Sequence, residues 1–290
     1  MIDLEQVRTF VAIVEAGSFQ SAADRLGIAQ PTVSQHLKKL EEAVGHRLIE
    51  RSRAQAIPTE GGTRFLPFAR TLLRVAERAQ EALTDGEFVI GASSNIGVYM
   101  LQPVAAAFRS IVPDLRRFDI RIGSNQETAR RLEDSEIDIA LMEWWDDRAG
   151  FDAKVWREEP IVVIVPPDHR WARRAWIDKA TLMEEPLIGG EPGTGTARLL
   201  QDRLGIDIAA LKSGLQLGST EAVKQAVRAG LGVSVALESA VREEIASGVL
   251  VAPRLRSARL TKPLYSIVPS HAPPGSPARK FAAFLPAAAA

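Results

Sequence analysis

The chain has 290 residues, and its 36 Lys and Arg side chains balance 36 Asp and Glu to a formal net charge of zero. With 46% hydrophobic and 25% charged residues, it holds material for two or three globular domains of ~100–200 residues each. It has no cysteine, which excludes disulfide scaffolds, cysteine zinc sites, iron–sulfur clusters and thiol nucleophiles. Zero net charge also removes the strongly basic field of an indiscriminate nucleic-acid binder.

The four histidines, His36, His46, His169 and His271, show no metal-ligand spacing. His36 and His46 read as surface residues, and neither a metal nor a cofactor is expected. Met1–Glu5 lacks a basic segment followed by an apolar core, so no secretion signal is expected. Apolar runs such as Ile161–Pro167 fall far short of the ~20 residues a membrane helix needs. The expected location is the cytoplasm, with no membrane partner.

Helical periodicity starts at once. Val7, Phe10, Val11 and Val14 fall at i, i+3, i+4 and i+7, which gives one apolar face to a helix over Leu4–Ala16 that Gly17 ends. Ser18 is placed to cap a short helix over Phe19–Leu26, with Ala22, Ala23 and Leu26 inward and Gly27 as its stop. Pro31 suits the first turn of a third helix, where the amide it lacks would be unpaired anyway. Val33, Leu37, Leu40 and Val44 form that helix's inner face, and Gly45 ends it.

Gln30, Thr32, Ser34, Gln35 and Lys38 stand on the other face. Two short helices joined by a tight turn, the second opening on hydroxyl and amide side chains, suit a DNA major groove. There Gln reads an adenine edge bidentately, while Ser, Thr and Lys reach bases or phosphates. A solvated surface helix shows the same polarity, so periodicity leaves both readings open. Leu48–Arg51 and Ala56–Ile57 read as a two-stranded wing with Arg51 and Arg53 at its tip, placed for the DNA backbone or minor groove.

Many of these positions resemble, in one register, the N-terminal winged helix-turn-helix of the LysR-type transcriptional regulators. The residues are Phe10, Glu15–Phe19, Ala22-Ala23, Leu26, Gln30-Pro31, Val33-Ser34, Leu37, Leu40-Glu41, Gly45, Leu48, Arg51, and Thr59 with Gly62. Ile49 stands where Phe is usual and Pro58 where Leu is usual; Pro58 cannot donate to a ladder and is expected to loosen the second strand. The candidate DNA-binding residues are Ser18, Gln30, Pro31, Thr32, Ser34, Gln35, Lys38, Arg51 and Arg53.

From Thr59, placed as a cap, a helical pattern runs to Leu83. Phe65, Ala69, Leu72, Ala76, Ala79 and Leu83 form a heptad seam that a lone helix in water cannot bury. Its cover is either the chain's own domains or a second copy, and the resemblance implies the second copy, in a homodimer or homotetramer. Pro67 is expected to kink this helix or delay its start.

From Glu87 strands and helices alternate, which argues for a parallel-sheet α/β architecture. Strands are expected at Phe88–Ala92, Phe118–Ile122, Ile137–Met142, Ile161–Val165, Leu215–Leu217, Val233–Leu237 and Leu264–Val268. Helices are expected at Val98–Arg109, Gln126–Asp134, Thr196–Leu204, Thr220–Ala229 and Pro277–Phe284. The expected organisation is thus an all-α winged helix-turn-helix over 1–60, a linker helix and hinge over 61–86, and an α/β effector-binding domain over 87–290. The resemblance likens that domain to periplasmic solute-binding proteins, with subdomain I over 87–160 and 268–290 and subdomain II over 161–267. The chain would cross between them near Glu159–Val162 and Leu264–Ser270.

In open α/β folds, ligands bind outside the carboxyl ends of strands, where helix N-termini present amides. Three places have that form: Ser93-Ser94-Asn95, Gly193–Thr196 with Arg198 behind it, and Gly218-Ser219-Thr220. Each also suits an ordinary helix cap. The resemblance implies a small-molecule effector between the subdomains, and the candidate residues are Ser93, Ser94, Asn95, Glu143, Gly195, Thr196, Arg198, Ser219 and Thr220. Arg198 is the cation placed to meet a carboxylate or phosphate, which makes an anionic effector the expectation. Glu143 could instead accept from an amine or a sugar hydroxyl, and Trp144-Trp145 either shape the mouth or simply pack.

Gly193-x-Gly195-x-x-Arg198 lacks the third glycine of a dinucleotide fingerprint, and the sequence shows neither a P-loop nor a Gly-x-Ser-x-Gly elbow. With the DNA-binding head, the expectation is a DNA-binding regulator and not an enzyme; the rivals are a plain small-molecule binding protein and an enzyme on the same fold. Its expected partners are double-stranded DNA bearing an interrupted palindrome and a small-molecule effector, with RNA polymerase a further candidate.

Overall fold

The computed structural model describes residues 1–51, 56–81, 87–112, 115, 117–189, 200–202, 205, 215–256 and 260–288. They form two compact units, one of Met1–Glu87 with Glu133–Glu136 and one of Phe88–Leu132 with Ile137–Ala290.

The first unit opens with α1 (Leu4–Ala16), α2 (Phe19–Leu26) and α3 (Gln30–Val44). Asp3 caps α1 by accepting the amides of Glu5 and Gln6, and Ser18 caps α2 by accepting that of Ser21. Gly17, Gly27 and Gly45 end the three helices in the left-handed region, where a side chain would be strained. Phe10, Ile13, Leu37 and Leu40 are fully buried between the helices.

The wing is β1 (Ile49–Arg51) paired antiparallel with β2 (Ala56–Pro58). Pro58 falls at the end of the ladder, opposite Ile49, where a missing donor costs least. The Glu41 carboxylate accepts the amides of Leu48 at 2.7 Å and Ile49 at 3.3 Å and so fixes the wing to α3. The Thr59 hydroxyl donates to the Arg47 carbonyl at 2.7 Å and accepts the Gly62 amide at 2.9 Å. A Cβ on Gly62 would stand 2.0 Å from the Leu48 carbonyl oxygen, which is why glycine follows at that spacing.

The helix α4 (Glu60–Glu81) runs 22 residues and carries Pro67 inside it, so the proline does not delay its start. Phe65 and Ala69 turn into the head's own core beside Leu66 and Leu73, and the Phe65 ring lies 5.6 Å from that of Phe10. The first two positions of the expected heptad seam are therefore covered by their own chain. Leu72, the third position of that seam, stays open, and Phe68 and Val75 flank it at spacings of four and three; the three are 40%, 68% and 41% exposed. Leu83 lies outside the described residues.

The second unit is built on β3 (Glu87–Ser93), β4 (Arg117–Gly123), β5 (Ile139–Met142), β6 (Phe151–Ile164), β8 (Ser234–Leu237) and β10 (Thr261–Pro269), in the order β4-β3-β5-β10-β6-β8. A separate pair, β7 (Trp176–Ile177) and β9 (Arg254–Leu255), is parallel. Its helices are α5 (Ser94–Tyr99), α6 (Leu101–Ile111), α7 (Asn125–Glu133), α8 (Lys179–Leu182), α9 (Thr220–Arg228), α10 (Glu238–Ala246) and α11 (Pro277–Ala288). The sheet is mixed, not parallel throughout: β3 and β5 are parallel, but β10 is antiparallel to β5 and β6, and β6 to β8. A chain that leaves one lobe and returns must do so on strands of opposite direction.

Leu215–Leu217, an expected strand, is irregular, and the expected helix over Val98–Arg109 is two helices that break at Met100. Neither α10 nor the first ten residues of β6 was expected from the sequence. Most of the expected helix Thr196–Leu204 lies outside the described residues.

One lobe packs Phe88, Phe108 and Phe281 together, with the last two rings 4.8 Å apart edge to face. The other gathers Val163, Trp171, Leu182 and Val233. β6 serves both, pairing with β10 as far as Pro160 and with β8 from Ile161. The return falls at Leu260–Thr261, where the Ile161 amide donates to the Leu260 carbonyl at 2.9 Å; Leu264–Pro269 is already paired with the first part of β6. Trp156 is the extra residue of a bulge opposite Leu264 and Tyr265. Just before the change of partner, the fully buried Glu159 carboxylate accepts from Arg157 Nε at 2.7 Å and from the Ser239 amide in the first turn of α10 at 2.9 Å.

Candidate DNA-binding face and effector cleft

The start of α3 has no side-chain cap, and Gln30, Pro31, Gln35 and Lys38 are exposed there while Thr32 and Ser34 are half-buried. Gln30 Nε2 donates to Ser34 Oγ at 3.3 Å. Lys38 stands 3.7 Å from Glu42 with both side chains largely in water, an arrangement worth only ~0–1 kcal/mol, so its ammonium is free to meet a phosphate. His36, expected on the surface, instead bonds Thr9 Oγ1 through Nδ1 at 2.9 Å and ties α3 to α1. Ser18 is occupied as the cap of α2 and also donates to Ser21 Oγ at 2.8 Å. Arg51 closes β1 with its backbone; its side chain, and all of Arg53, lie outside the described residues. Glu15 pairs with Arg25 at 2.9 Å and Arg70 at 3.2 Å, so one carboxylate joins α1, α2 and α4.

In the second unit, side chains from four elements meet in one polar chain. Thr220 Oγ1, opening α9, donates to Asn95 Oδ1 of α5 at 2.6 Å. Asn95 Nδ2 donates to Glu143 Oε1, just beyond β5, at 3.0 Å. Lys262 Nζ, from the start of β10, donates to Glu143 Oε2. Glu143 is 8% exposed and Lys262 3%, so this ion pair is effectively out of water. Asn125 holds the corner, accepting the Glu143 amide at 2.9 Å and donating to the Trp144 carbonyl at 3.0 Å.

Of the expected effector residues, Asn95, Glu143 and Thr220 are thus brought together. Ser94 donates to the Gly123 carbonyl at 2.9 Å, and the buried Ser93 hydroxyl has no partner among the described residues. Ser219 acts as the cap of α9, accepting the Ala222 amide at 3.2 Å. Gly195, Thr196 and Arg198 lie outside the described residues. Trp145 packs edge-on against Phe151 at 5.7 Å with Arg148 over its ring, so packing and not the mouth is its role. Sequence reasoning missed Lys262, whose partner lies 119 residues away in the chain.

A second tie lies one turn further along both helices. Lys224 Nζ of α9 donates to Glu244 at 2.6 Å, to Glu221 at 2.8 Å and to the Ala240 carbonyl at 3.2 Å, and sits 5.0 Å from the centre of the Tyr99 ring. Burial opposes its charge, but the Glu221 and Glu244 carboxylates outweigh that cost and hold the ammonium above the usual lysine range. Burial likewise raises the Tyr99 hydroxyl, against the pull of Lys224. Bonds from Lys224 and Gln225 lower the Glu221 carboxyl. Tyr99 follows Asn95 by four residues, as Lys224 follows Thr220, so α5 and α9 meet along a polar seam.

A winged helix-turn-helix head together with an α/β domain whose strand ends meet in a chain of bonded polar side chains is the architecture of a DNA-binding transcriptional regulator that carries a ligand-binding domain. Residues 4–63 match the model of the bacterial regulatory helix-turn-helix protein, lysR family, and residues 81–290 that of the LysR substrate binding domain. The chain belongs to the LysR family of transcriptional regulators. It is 46% identical over 196 residues to the HTH-type transcriptional regulator PtxE of Stutzerimonas stutzeri, covering 68% of this chain and 100% of that one. It is 31% identical over 245 residues to the regulator CysL of Bacillus subtilis, covering 82% of each. Among solved structures, a Corynebacterium glutamicum OxyR variant superposes with a TM-score of 0.63 at 28% identity, covering 99% of this chain and 91% of that one. The LysR-family regulator CbnR, at 19% identity and a TM-score of 0.67 over the full length of both chains, shares the fold. No helix among the described residues is long and apolar enough to cross a membrane.

Proposed function

We propose that this protein is a sequence-specific regulator that reads an interrupted palindrome as a homodimer or homotetramer and answers a small anionic metabolite bound between the lobes of residues 87–290. The observation that carries the reading is the chain Thr220–Asn95–Glu143–Lys262, which joins helix starts of both lobes at the strand ends. An anion entering there meets a buried ammonium and must compete with Glu143 for it. It displaces the Asn95–Thr220 bond and shifts an existing equilibrium between lobe arrangements, which needs ~1–3 kcal/mol of differential affinity to regulate. The exposed stripe Phe68, Leu72 and Val75 supplies the face for a second copy. Paired heads then place Ser34 and Gln35 in successive major grooves, and the lobe shift alters DNA bending and polymerase access in the cytoplasm. That the relatives are regulators supports a role without catalysis.

A thermal-shift screen of small organic acids tests the cleft. A compound that raises the melting temperature of the full chain should lose that effect in Thr220→Val; an unchanged shift would place the ligand elsewhere. For the head, Ser34→Ala with Gln35→Ala should erase the operator footprint while affinity for random duplex persists. Matching footprints would mean a different recognition face.

A further inference from the structure

In the second lobe, β7 and β9 border an open pocket of about 370 Å³ lined by Arg174, Trp176, Asp178, Thr181 and Arg256 among others, none of which belongs to the Thr220–Asn95–Glu143–Lys262 chain. Trp176 is 50% exposed, so its position adds little to the core. The basic side chains around it differ from others of the same unit. Arg157 is tied to Glu159, Arg170 to Glu184 and Glu185, and Arg279 to Asp152. Arg174 and Arg256 are exposed and have no carboxylate within ion-pair distance among the described residues. The acid on the cavity wall, Asp178, is already engaged as the cap of α8, accepting the Thr181 amide at 2.8 Å. That amide and the Thr181 hydroxyl hold its carboxyl below the usual range, with a smaller contribution from Arg256. The Arg254 guanidinium lies 5.7 Å from the centre of the Trp176 ring. Two guanidinium groups without an ion-pair partner among the described residues thus line one pocket beside an aromatic wall.

We propose that this cavity binds an organic phosphate, its oxygens held by Arg174 and Arg256 together and its flat ring laid against Trp176. Guanidinium groups match phosphate oxygens two bonds at a time, which a lysine cannot do. A phosphate ester near neutral pH carries close to two negative charges, answering both arginines. The volume lies at the small end of the ~300–1,000 Å³ typical of small-molecule sites, which suits a mononucleotide-sized molecule.

AMP is the probe. Titrated into the full chain and followed by tryptophan fluorescence and calorimetry, it should bind saturably. Arg174→Ala and Arg256→Ala should each weaken it about tenfold, equivalent to ~1.4 kcal/mol. Trp176→Ala should weaken AMP while leaving inorganic phosphate binding in place. These side chains are exposed, so the variants should melt at the wild-type temperature, and a loss of binding would not be a loss of fold. Equal AMP affinity in the double arginine variant would overturn the proposal, as would an AMP titration that never saturates. If random duplex DNA loses affinity in the arginine variants while AMP does not bind the wild type, the patch is a DNA-contact surface and the small-molecule site is refuted.

Discussion

The two units bury different chemistry. In the head the core is apolar, and Thr9 is its one buried polar side chain among the described residues. The four buried charged side chains described, Glu143, Glu159, Lys224 and Lys262, all belong to the second unit. The head uses its carboxylates from the periphery instead, where Glu15 and Glu41 clip elements together without leaving water entirely. Apolar packing with caps holds one geometry and tolerates small shifts. A buried ion pair rewards one geometry and penalises any other, because an unmatched charge in low dielectric is costly. The unit that is proposed to move is the one that holds such pairs inside its lobes, while the bonds that cross between the lobes, Thr220 to Asn95 and the Ser239 amide to Glu159, involve at most one charge.

That contrast can be broken in three places. The largest effect is expected from Lys262→Met, which strands Glu143 in the interior and should cost ~3–5 kcal/mol in urea denaturation. Adding Glu143→Leu should recover most of that loss; a double variant as damaged as the single one would mean the pair is not the source. Next is Gly62→Ala in the head, which drives a methyl into the Leu48 carbonyl and should cost about 3 kcal/mol, at the upper end of the overpacking range. An unshifted head transition would show that α4 can move away from the wing. Smallest is Lys224→Met, at about 2 kcal/mol near neutral pH for the loss of charge-assisted bonds. Its folded pKa is raised, so its contribution is full below the unfolded lysine value of ~10.4 and fades as pH climbs through the folded value. The wild-type advantage over the variant should therefore be flat between about pH 6 and about pH 10, shrink above that, and fall again in acid, where the lowered Glu221 carboxyl takes up its proton and gives up its bond to Lys224. An advantage that already drops between about pH 6 and about pH 9 would contradict the sign.

The same contrast explains what could be read in the sequence. Helices α1 and α2 follow from local rules, an apolar period with a cap before and a glycine after, and they occupy the residues that periodicity assigns. In α4, periodicity shows one seam but not how far along it the head reaches; Phe65 and Ala69 went inward, while Leu72 stayed out with Phe68 and Val75 beside it. The first ten residues of β6 were illegible for a different reason. The bulge at Trp156 puts Trp156 and Glu159 inside, three apart, which destroys the alternation that marks a strand. At the cleft, Asn95 and Thr220 were legible because strand ends and helix starts have a known place in such folds. Lys262 was not, since it meets Glu143 across 119 residues of sequence and no local pattern carries that pairing.

The bulge in β6 has a consequence for how this chain tolerates changes of length. Side-chain facing alternates along a strand, so deleting one residue turns everything beyond it to the other face. Trp156 is the one residue exempt from this: its removal would straighten β6 against β10 and leave Glu159 opposite Lys262. Removal of Glu158, beyond the bulge, would instead point Glu159 out of the interior and leave the Ser239 amide of α10 without its acceptor. Loops on either side can gain or lose residues, but within β6 a single codon decides which way the carboxylate at the crossing faces.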